Sequence, residues 1–130
     1  MYPRPDFFSG SRLNFAENLL FPATSPHPEP TAPAVITVTE LPNSTVTTSW
    51  AELREAVRRC SNALRAAGLK PNDVVAGFVS NHVEAIVAML AAAAVGAIWT
   101  GISPDNGVSA LPDRLNPLPP KLPFAHNSTE

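Results

Sequence analysis

The sequence predicts an α/β fold in which a β-hairpin is followed by βαβ units with parallel strands. Three observations lead to this prediction: a pair of β-branched segments around a turn, helical stretches that alternate with short apolar runs, and a proline-poor interior. The chain has 130 residues and 15 prolines, but only Pro71 lies between positions 43 and 103. Because proline interrupts helices and central strands, regular structure is expected in this interior.

The hairpin is predicted from two segments rich in β-branched residues, Ala34–Glu40 and Thr45–Thr48. The intervening residues 41–44 include proline, asparagine and serine, which favour turns. Two short strands joined by so short a connection pair antiparallel. The sequence therefore places a two-stranded hairpin before the first long helix.

The first long helix is predicted to begin at about Trp50. Ser49 and Glu52 have the spacing of a capping box, in which each side chain accepts a hydrogen bond from the other residue's backbone N–H. Apolar residues then recur at intervals of three and four up to Ala67 and form one stripe. Gly68 is expected to end the helix in a left-handed conformation.

The segments after this helix repeat the pattern of strand and helix. Val74–Val79 is an unbroken apolar run, which is typical of a strand covered on both faces in a parallel sheet. Asn81 and Glu84 have capping spacing, with asparagine as the N-cap, so a second helix is expected over 82–95. Ala97–Thr100 is predicted as the next strand. This alternation predicts βαβ units with right-handed crossovers.

Several side chains in these elements receive structural interpretations. Cys60 lies on the apolar stripe of its helix and is interpreted as a small buried hydrophobe. The charged residues within 54–59 are interpreted as a solvated helix face. Trp50 and Trp99 are interpreted as core or domain-boundary residues.

Charge, cysteine and histidine content exclude several classes of function. The 9 basic and 11 acidic residues give a net charge of −2 without a long run of either sign, so nucleic acid is not expected as a partner. Cys60 is the only cysteine, which excludes a disulfide framework and favours a reducing, cytoplasmic compartment. His27, His82 and His126 are scattered, and no metal site is predicted.

The uncharged stretch Ala85–Ile102 is just long enough to cross a bilayer. It is rich in alanine, contains Gly96, and lacks the dense leucine, isoleucine and phenylalanine that drive insertion. No membrane location is therefore expected, and a small integral membrane protein is kept only as a third hypothesis.

Three segments of the chain are similar to known sequence patterns. Phe8–Leu20 is similar to F-x-G-x-x-L-N-(Y/F)-A-E-N-L-L. Ser49–Leu53, followed by Gly68–Val74, is similar to (T/S)-W-x-E-L…G-(V/L)-x-x-G-D-x-V. Gly96–Trp99, followed by Ser103–Asp105, is similar to G-A-I-W followed by S-P-D. Through these segments, most of residues 7–115 resembles the N-terminal region of the acetoacetyl-CoA synthetase family, the acetoacetate–CoA ligases of the adenylate-forming acyl-CoA synthetase (AMP-binding) superfamily; the second pattern is shared across the superfamily.

The resemblance implies a partial N-terminal subdomain of an adenylate-forming ligase. The parent reaction converts acetoacetate, ATP and CoA to acetoacetyl-CoA, AMP and pyrophosphate, and the full-length family uses ATP, Mg and CoA. Its phosphates are held by a glycine-rich loop ending in Gly-x-Pro-Lys, and a further lysine lies in a C-terminal domain. Neither motif occurs in this sequence, whose six glycines do not cluster near Lys70 or Lys121.

The leading hypothesis is therefore an N-terminal fragment of an ATP-dependent acid–CoA ligase that is inactive alone, without catalytic residues, metal or cofactor of its own. Gly101 and Ser103 follow a predicted parallel strand, where α/β sheets bind ligands, and the resemblance implies that they contact CoA. The alternative is that they only turn the chain. The second hypothesis is a non-catalytic binding or interaction module on the same scaffold, with a full-length ligase as its partner.

The resemblance and the proline pattern divide the chain into three parts. Residues 1–33 hold a short helix around Leu13–Leu20 and a proline-rich linker, residues 34–105 form a partial α/β domain of the AMP-binding type, and residues 106–130 form a proline-rich, irregular tail. Family members continue after Asp105 into a helix and a strand. A proline inside that helix, Pro112, would cost about 3 kcal/mol, so the tail is expected to be irregular or broken.

Overall fold

The computed structural model describes residues 6–23, 27–39 and 45–125. It has the predicted α/β architecture, with an antiparallel hairpin before a three-stranded parallel sheet. Two 3-10 turns, Pro104–Asn106 and Val108–Ala110, follow the fourth strand. In chain order the helices and strands are α1 (Phe15–Leu20), β1 (Pro33–Val38), β2 (Thr45–Ser49), α2 (Trp50–Ala66), β3 (Val74–Phe78), α3 (Val83–Val95), β4 (Ile98–Ile102), α4 (Leu111–Leu115) and β5 (Leu122–Ala125).

The hairpin strands β1 and β2 pair antiparallel, with Ile36 opposite Thr47. The turn predicted at 41–44 lies outside the described residues. Both strands pack on α2, and Val35 contacts the main core. Ile36 and Val38 point away from it and are 60% and 71% exposed. The hairpin therefore covers part of α2 while leaving apolar side chains on its outer face.

The parallel sheet has the strand order β4-β3-β5, which makes β3 the central strand. Gly77 of β3 lies opposite Gly101 of β4 on one side and Phe124 of β5 on the other. Because β4 and β5 flank β3 on opposite sides, right-handed crossovers place α3 and the 103–121 connection on opposite faces. This arrangement agrees with the burial of the middle residues of β3 and with its unbroken apolar sequence.

Helix α2 begins with the predicted capping box. The Glu52 carboxylate accepts a hydrogen bond from the Ser49 backbone N–H at 2.8 Å, and the Ser49 hydroxyl accepts one from the Glu52 N–H at 3.3 Å. The hydrogen bond from the Ser49 N–H, followed by that from its hydroxyl, lowers the pKa of Glu52. After the helix, Gly68 and Asn72 both have positive φ, which glycine and asparagine tolerate best.

Helix α3 begins one residue later than predicted, and the expectation that Asn81 is its N-cap is wrong. The N-cap is His82, which has extended backbone and no capping hydrogen bond from its side chain. The His82 N–H instead donates to the Ser80 carbonyl at 3.0 Å, and this bend sets Asn81 before the cap position. Gly96 ends the helix in the left-handed conformation. In the described parts of the chain, no helix combines the length and apolar character needed to cross a bilayer.

One hydrophobic core lies between α1, α2, α3 and the parallel sheet. Its largest fully buried side chains are Leu90 of α3 and Val75 of β3. Helices α2 and α3 pack directly on each other, and α1 packs on α3 through Ala16 and Leu20. Each buried aliphatic side chain of this size contributes about 1.5–3 kcal/mol, so this core is the main source of stability.

The expectation of an irregular tail is wrong for two segments, α4 and β5. Pro112 lies in the first turn of α4, where a helix has no use for the missing N–H, and it therefore does not interrupt the helix. Pro123 lies in β5, an edge strand, where a missing donor is tolerated. Both prolines occupy permitted positions that the sequence pattern alone did not distinguish. The division of the chain at residues 33 and 105 stays a prediction.

Candidate functional site

Trp99 organises the sheet near the carboxyl ends of β3 and β4. Gly77 and Gly101 are cross-strand partners, and the indole of Trp99 leans into the space that both leave open. A β-carbon on Gly77 would overlap the six-membered ring of Trp99, and one on Gly101 would lie 3.3 Å from its Nε1. On the far side of β3, the Phe124 ring centroid lies 6.2 Å from that of Trp99. Trp99 therefore contacts the core, as predicted, and also borders the carboxyl end of the sheet.

A cleft of about 310 Å³ lies beside Trp99, where β3 and β4 end. The sequence predicted a ligand-binding position here from the parallel strand order. Both predicted CoA contacts, Gly101 and Ser103, lie at this cleft and are exposed. The rest of its wall comes from the segment that joins β3 to α3 and from α3 itself, and includes Ser80, Asn81, Ile86 and Met89.

Ser103 is already engaged in a local turn. Its hydroxyl donates to the Asp105 carboxylate at 2.9 Å and accepts weakly from the Asp105 N–H at 3.4 Å. The Asn106 side-chain amide donates to the Ser103 carbonyl at 3.2 Å. The Ser-Pro-Asp motif thus forms a capped 3-10 turn through its own side chains. The CoA contact of Gly101 and Ser103 stays a prediction, beside the structural roles that both residues have here.

The cleft does not fit the polyphosphate of ATP or its Mg ion. The described residues that line it carry no charged side chain, and Asp105 adds a carboxylate next to Ser103. Phosphate sites normally offer cations or several converging N–H groups. Within residues 6–23, 27–39 and 45–125, no three His, Cys, Asp or Glu side chains come together as a metal site. No step of ATP chemistry is assigned to these residues.

Comparison with known proteins identifies the family of this α/β unit. Residues 23–130 match the family described as AMP-binding enzyme. The chain belongs to the AMP-binding enzyme family.

Three proteins to which the chain is similar are CoA synthetases by name. Malonamoyl-CoA synthetase vrtB of Penicillium aethiopicum is 52% identical over 128 residues, which are 98% of this chain and 18% of that protein. Acetoacetyl-CoA synthetase of Danio rerio is 42% identical over 121 residues, 93% of this chain and 17% of that protein. The solved structure of acetoacetyl-CoA synthetase from Streptomyces lividans shares 39% identity and a TM-score of 0.79, over 87% of this chain and 17% of that one. The chain thus spans 17–18% of the length of these three relatives.

In this AMP-binding chain, the Asn-Phe-Ala-Glu-Asn motif has a structural role in addition to the family resemblance that it carries. The Asn14 side-chain oxygen accepts from the Glu17 N–H at 3.1 Å and so caps α1. Its side-chain nitrogen donates to the Ala93 carbonyl, in the last turn of α3, at 2.8 Å. Asn18 donates back to the Asn14 carbonyl at 2.8 Å. One asparagine therefore both starts α1 and ties it to α3.

Arg54 was missed as a structural residue, because its charge suggested a solvated helix face. It is half-buried, its Nε donates to the Leu20 carbonyl at 2.9 Å, and its guanidinium carbon lies 5.1 Å from the Phe21 ring centroid and 5.4 Å from that of Trp50. The solvated-face interpretation does hold for Arg58, which pairs with Glu55 in the open. The aromatic residues at 21 and 50 were the signal that could have separated Arg54 from its neighbours.

Arg54 also borders a cavity of about 640 Å³ between α1, α2 and the end of α3. Its wall includes apolar residues of all three helices. Charged residues of both signs, including Glu17, Glu55 and Arg58, stand among them. The hydrogen bond from Arg58 lowers the pKa of Glu55. The mixed charges favour no particular ion.

Asp73 and Lys121 form an ion pair between the residues that directly precede β3 and β5. The Asp73 carboxylate accepts from the Lys121 ammonium at 2.7 Å and from the Lys70 N–H at 2.6 Å. Lys121 also donates to the Gly68 carbonyl at 2.8 Å. These contacts, led by the bond from Lys121, lower the pKa of Asp73. The pair fixes the start of β5 beside the start of β3.

The remaining polar candidates have structural surroundings. Cys60 is half-buried on the core side of α2, and burial raises the pKa of its thiol, in agreement with its interpretation as a small hydrophobe. His82 Nδ1 lies 2.8 Å from a carboxylate oxygen of Glu84 at the start of α3. Neither residue belongs to a group of metal-binding side chains in the part of the chain that the structure describes.

Proposed function

We propose that these residues form the N-terminal part of an ATP-dependent acid–CoA ligase whose substrate is a short carboxylic acid with a carbonyl group at C3. The observation that carries the proposal is the likeness to malonamoyl- and acetoacetyl-CoA synthetases, at 52% and 42% identity over nearly the whole chain. Malonamate and acetoacetate share a carboxyl–methylene–carbonyl unit, in which the carbonyl at C3 belongs to an amide in malonamate and to a ketone in acetoacetate. Acetoacetate is the first substrate to test, and malonamate is the second.

The proposed reaction has two steps that use the same carboxyl group. In the first, a carboxylate oxygen attacks the α-phosphorus of ATP and pyrophosphate leaves, which gives an acyl-adenylate. In the second, the CoA thiolate attacks the acyl carbon and AMP leaves. Both steps need stabilisation of negative charge on phosphate, which cations and N–H groups supply in such sites.

We further propose that these residues alone do not catalyse either step. The cleft beside Trp99 has an uncharged wall, and the sequence has no glycine-rich loop near a lysine. In this proposal ATP and Mg are held elsewhere in the ligase, while Gly101 and Ser103 contact CoA. The single half-buried cysteine agrees with a reducing, cytoplasmic compartment.

A chimeric ligase tests the proposal. The 130 residues would replace the 128 matching residues of malonamoyl-CoA synthetase, and ATP–pyrophosphate exchange would be measured with acetoacetate and with malonamate. We expect exchange by the chimera with at least one of these acids and none by the 130 residues alone. The matched control is the same synthetase without these 128 residues, which should not catalyse ATP–pyrophosphate exchange. A folded chimera without exchange, or exchange by the 130 residues alone, would contradict the proposal.

A second candidate is a non-catalytic module that binds a full-length ligase. Its support is the combination of an uncharged cleft with exposed apolar side chains on the hairpin, such as Ile36 and Val38. Sedimentation velocity of the 130 residues mixed with a full-length acetoacetyl-CoA synthetase distinguishes the two. A concentration-dependent complex favours the module, and independent sedimentation of the two proteins counts against it.

A further inference from the structure

Helix α1 is apolar on two sides. Ala16 and Leu20 are 0% and 4% exposed and lie in the core. Phe15 and Leu19, also four residues apart, are 61% and 39% exposed. Because residues at this spacing lie on one face of a helix, the second pair forms an outward apolar stripe. A helix with apolar residues on more than one side is normally covered on more than one side.

The outward stripe is held in a fixed orientation. A helix of six residues is not stable by itself in water, so α1 depends on contacts with the rest of the fold. At its start Asn14 donates to the Ala93 carbonyl, and at its end the Leu20 carbonyl accepts from Arg54. These bonds tie both ends of α1 to longer helices. The stripe is therefore presented as a rigid surface and not as part of a loose terminus.

The stripe continues into the residues that precede it in the chain. Phe7, Phe8 and Leu13 are each more than 70% exposed. Together with Phe15 and Leu19 they are a set of exposed apolar side chains close together in the chain, which we term the α1 outer patch. Single exposed apolar residues are normal on proteins, but five large ones within thirteen positions of the chain are typical of an interaction surface.

The comparisons indicate what covers the patch. The relative with 52% identity aligns over 98% of this chain, and the alignment therefore includes α1. That relative is more than five times as long as the aligned segment, which is 18% of it. In a ligase of that length, most of the protein surface that could cover the patch therefore belongs to the part of the polypeptide that does not align with these residues.

We infer that the catalytic remainder of the ligase packs on the α1 outer patch. Helix α1 is then buried between this remainder and the core of the α/β unit. This inference rests on the proposed function, because it takes the occupant from the same ligase. The partner is an apolar surface of that polypeptide, since the patch itself offers no charged side chain. The family match begins at residue 23, so the contact would be a feature of ligases that share the α1 segment and not of every AMP-binding enzyme.

Hydroxyl-radical labelling of the chimera, read by mass spectrometry, tests the inference directly. We expect Phe15 and Leu19 to be labelled as weakly as the buried Leu53, and several-fold more strongly in the 130 residues alone. Leu53 serves as the internal measure of folding in both samples. Labelling of Phe15 in the folded chimera as strong as that of an exposed side chain would overturn the inference. Protection in the 130 residues alone that increases with protein concentration would also overturn it, in favour of a second copy.

Paired substitutions give a second test. Phe15→Ser with Leu19→Ser should lower the unfolding temperature of the chimera by roughly 5 °C or more, and that of the 130 residues much less. Glu17→Ser, on the polar side of the same helix, is the matched control and should leave both nearly unchanged. Equal effects of the double substitution on both proteins would overturn the inference. Labelling and unfolding do not depend on ATP–pyrophosphate exchange, so a failed ligase assay and a failed docking surface are distinguishable.

Discussion

The indole of Trp99 occupies the space that a β-carbon on Gly77 would need. The two residues lie on neighbouring strands, and Gly77 is buried at the centre of the sheet. Glycine is therefore required at 77 because the Trp99 ring approaches so closely. Its backbone conformation does not require glycine, since its φ is not in the left-handed region. This relationship links the packing of the sheet to the shape of the cleft beside it.

Gly77→Ala should destabilise the protein by about 1–3 kcal/mol, because the methyl group must displace the Trp99 ring. Urea denaturation followed by circular dichroism measures the change. Gly101→Ala is the matched control: its methyl group would lie 3.3 Å from Trp99 Nε1, so a smaller loss is expected. An equal loss at both positions would contradict the close packing of Trp99 on Gly77.

Asn14 performs two tasks that substitution can separate. Asn14→Ala removes the helix cap and the bond to the Ala93 carbonyl, and should cost about 2 kcal/mol in total. Asn14→Asp keeps the capping oxygen but replaces the donor with a carboxylate that faces the Ala93 carbonyl. We therefore expect Asn14→Asp to be as destabilising as Asn14→Ala, although aspartate is a good N-cap. Urea denaturation that shows Asn14→Asp to be harmless would mean that the bond to Ala93 contributes nothing.

The Asp73–Lys121 pair should make stability depend on pH at the acidic end. The folded-state pKa of Asp73 lies below its ordinary value of 3.8, chiefly because of the hydrogen bond from Lys121. A carboxylate with a lowered pKa contributes stability that is fully present above about pH 5 and is lost as the pH falls through the folded-state pKa. Asp73→Asn should therefore be less stable than the parent at pH 7, with a difference that shrinks toward pH 3.

Thermal unfolding across this pH range measures that difference. Glu52 and Glu55 also have lowered pKa values, so the parent protein loses stability in acid for more than one reason. The comparison with Asp73→Asn isolates the part of this acid-induced loss of stability that is due to the titration of Asp73. Lys121→Met, which keeps most of the length of the side chain, should remove the larger part of the same pH dependence and leave a remainder, because the Lys70 N–H still donates to Asp73. A difference between parent and Asp73→Asn that is constant from pH 7 to pH 3 would exclude the ion pair as its cause.

The elements that sequence patterns predicted correctly are those whose ends are set by local hydrogen bonds. The Ser49–Glu52 capping box and the positive φ of Gly68 need only their chain neighbours, and both occur where they were expected. Asn81 has the same capping spacing and fails, because the backbone bends at Ser80 first. Pro112 was weighed as an interior helix residue, but the helix starts immediately before it. The residue at which a helix starts thus decides whether an asparagine caps it and whether a proline interrupts it.

Side chains with tertiary roles were the ones that patterns could not assign. In the sequence, Arg54 cannot be distinguished from its charged neighbours. Its role depends on the fold, which places the Phe21 ring at the end of α1 against its guanidinium group. The Asn14 contact with Ala93 joins residues 79 positions apart, and no periodicity contains it. Gly101 and Ser103 do line a cleft at the carboxyl ends of the parallel strands, where their place after a predicted strand put them. Whether they contact CoA depends on a ligand and not on the fold.

Ser103 provides the test of that contact, since the two steps of the proposed reaction can be measured separately. In the chimera, Ser103→Ala removes a hydroxyl that also caps the 3-10 turn at Asp105. If Ser103 contacts CoA, the substitution should raise the KM for CoA by roughly tenfold, equivalent to about 1.4 kcal/mol, and leave ATP–pyrophosphate exchange unchanged. Ser103→Thr keeps a hydroxyl and should restore most of the affinity. If exchange and acyl-CoA formation fall together, Ser103 acts through the turn alone, and the predicted CoA contact is wrong.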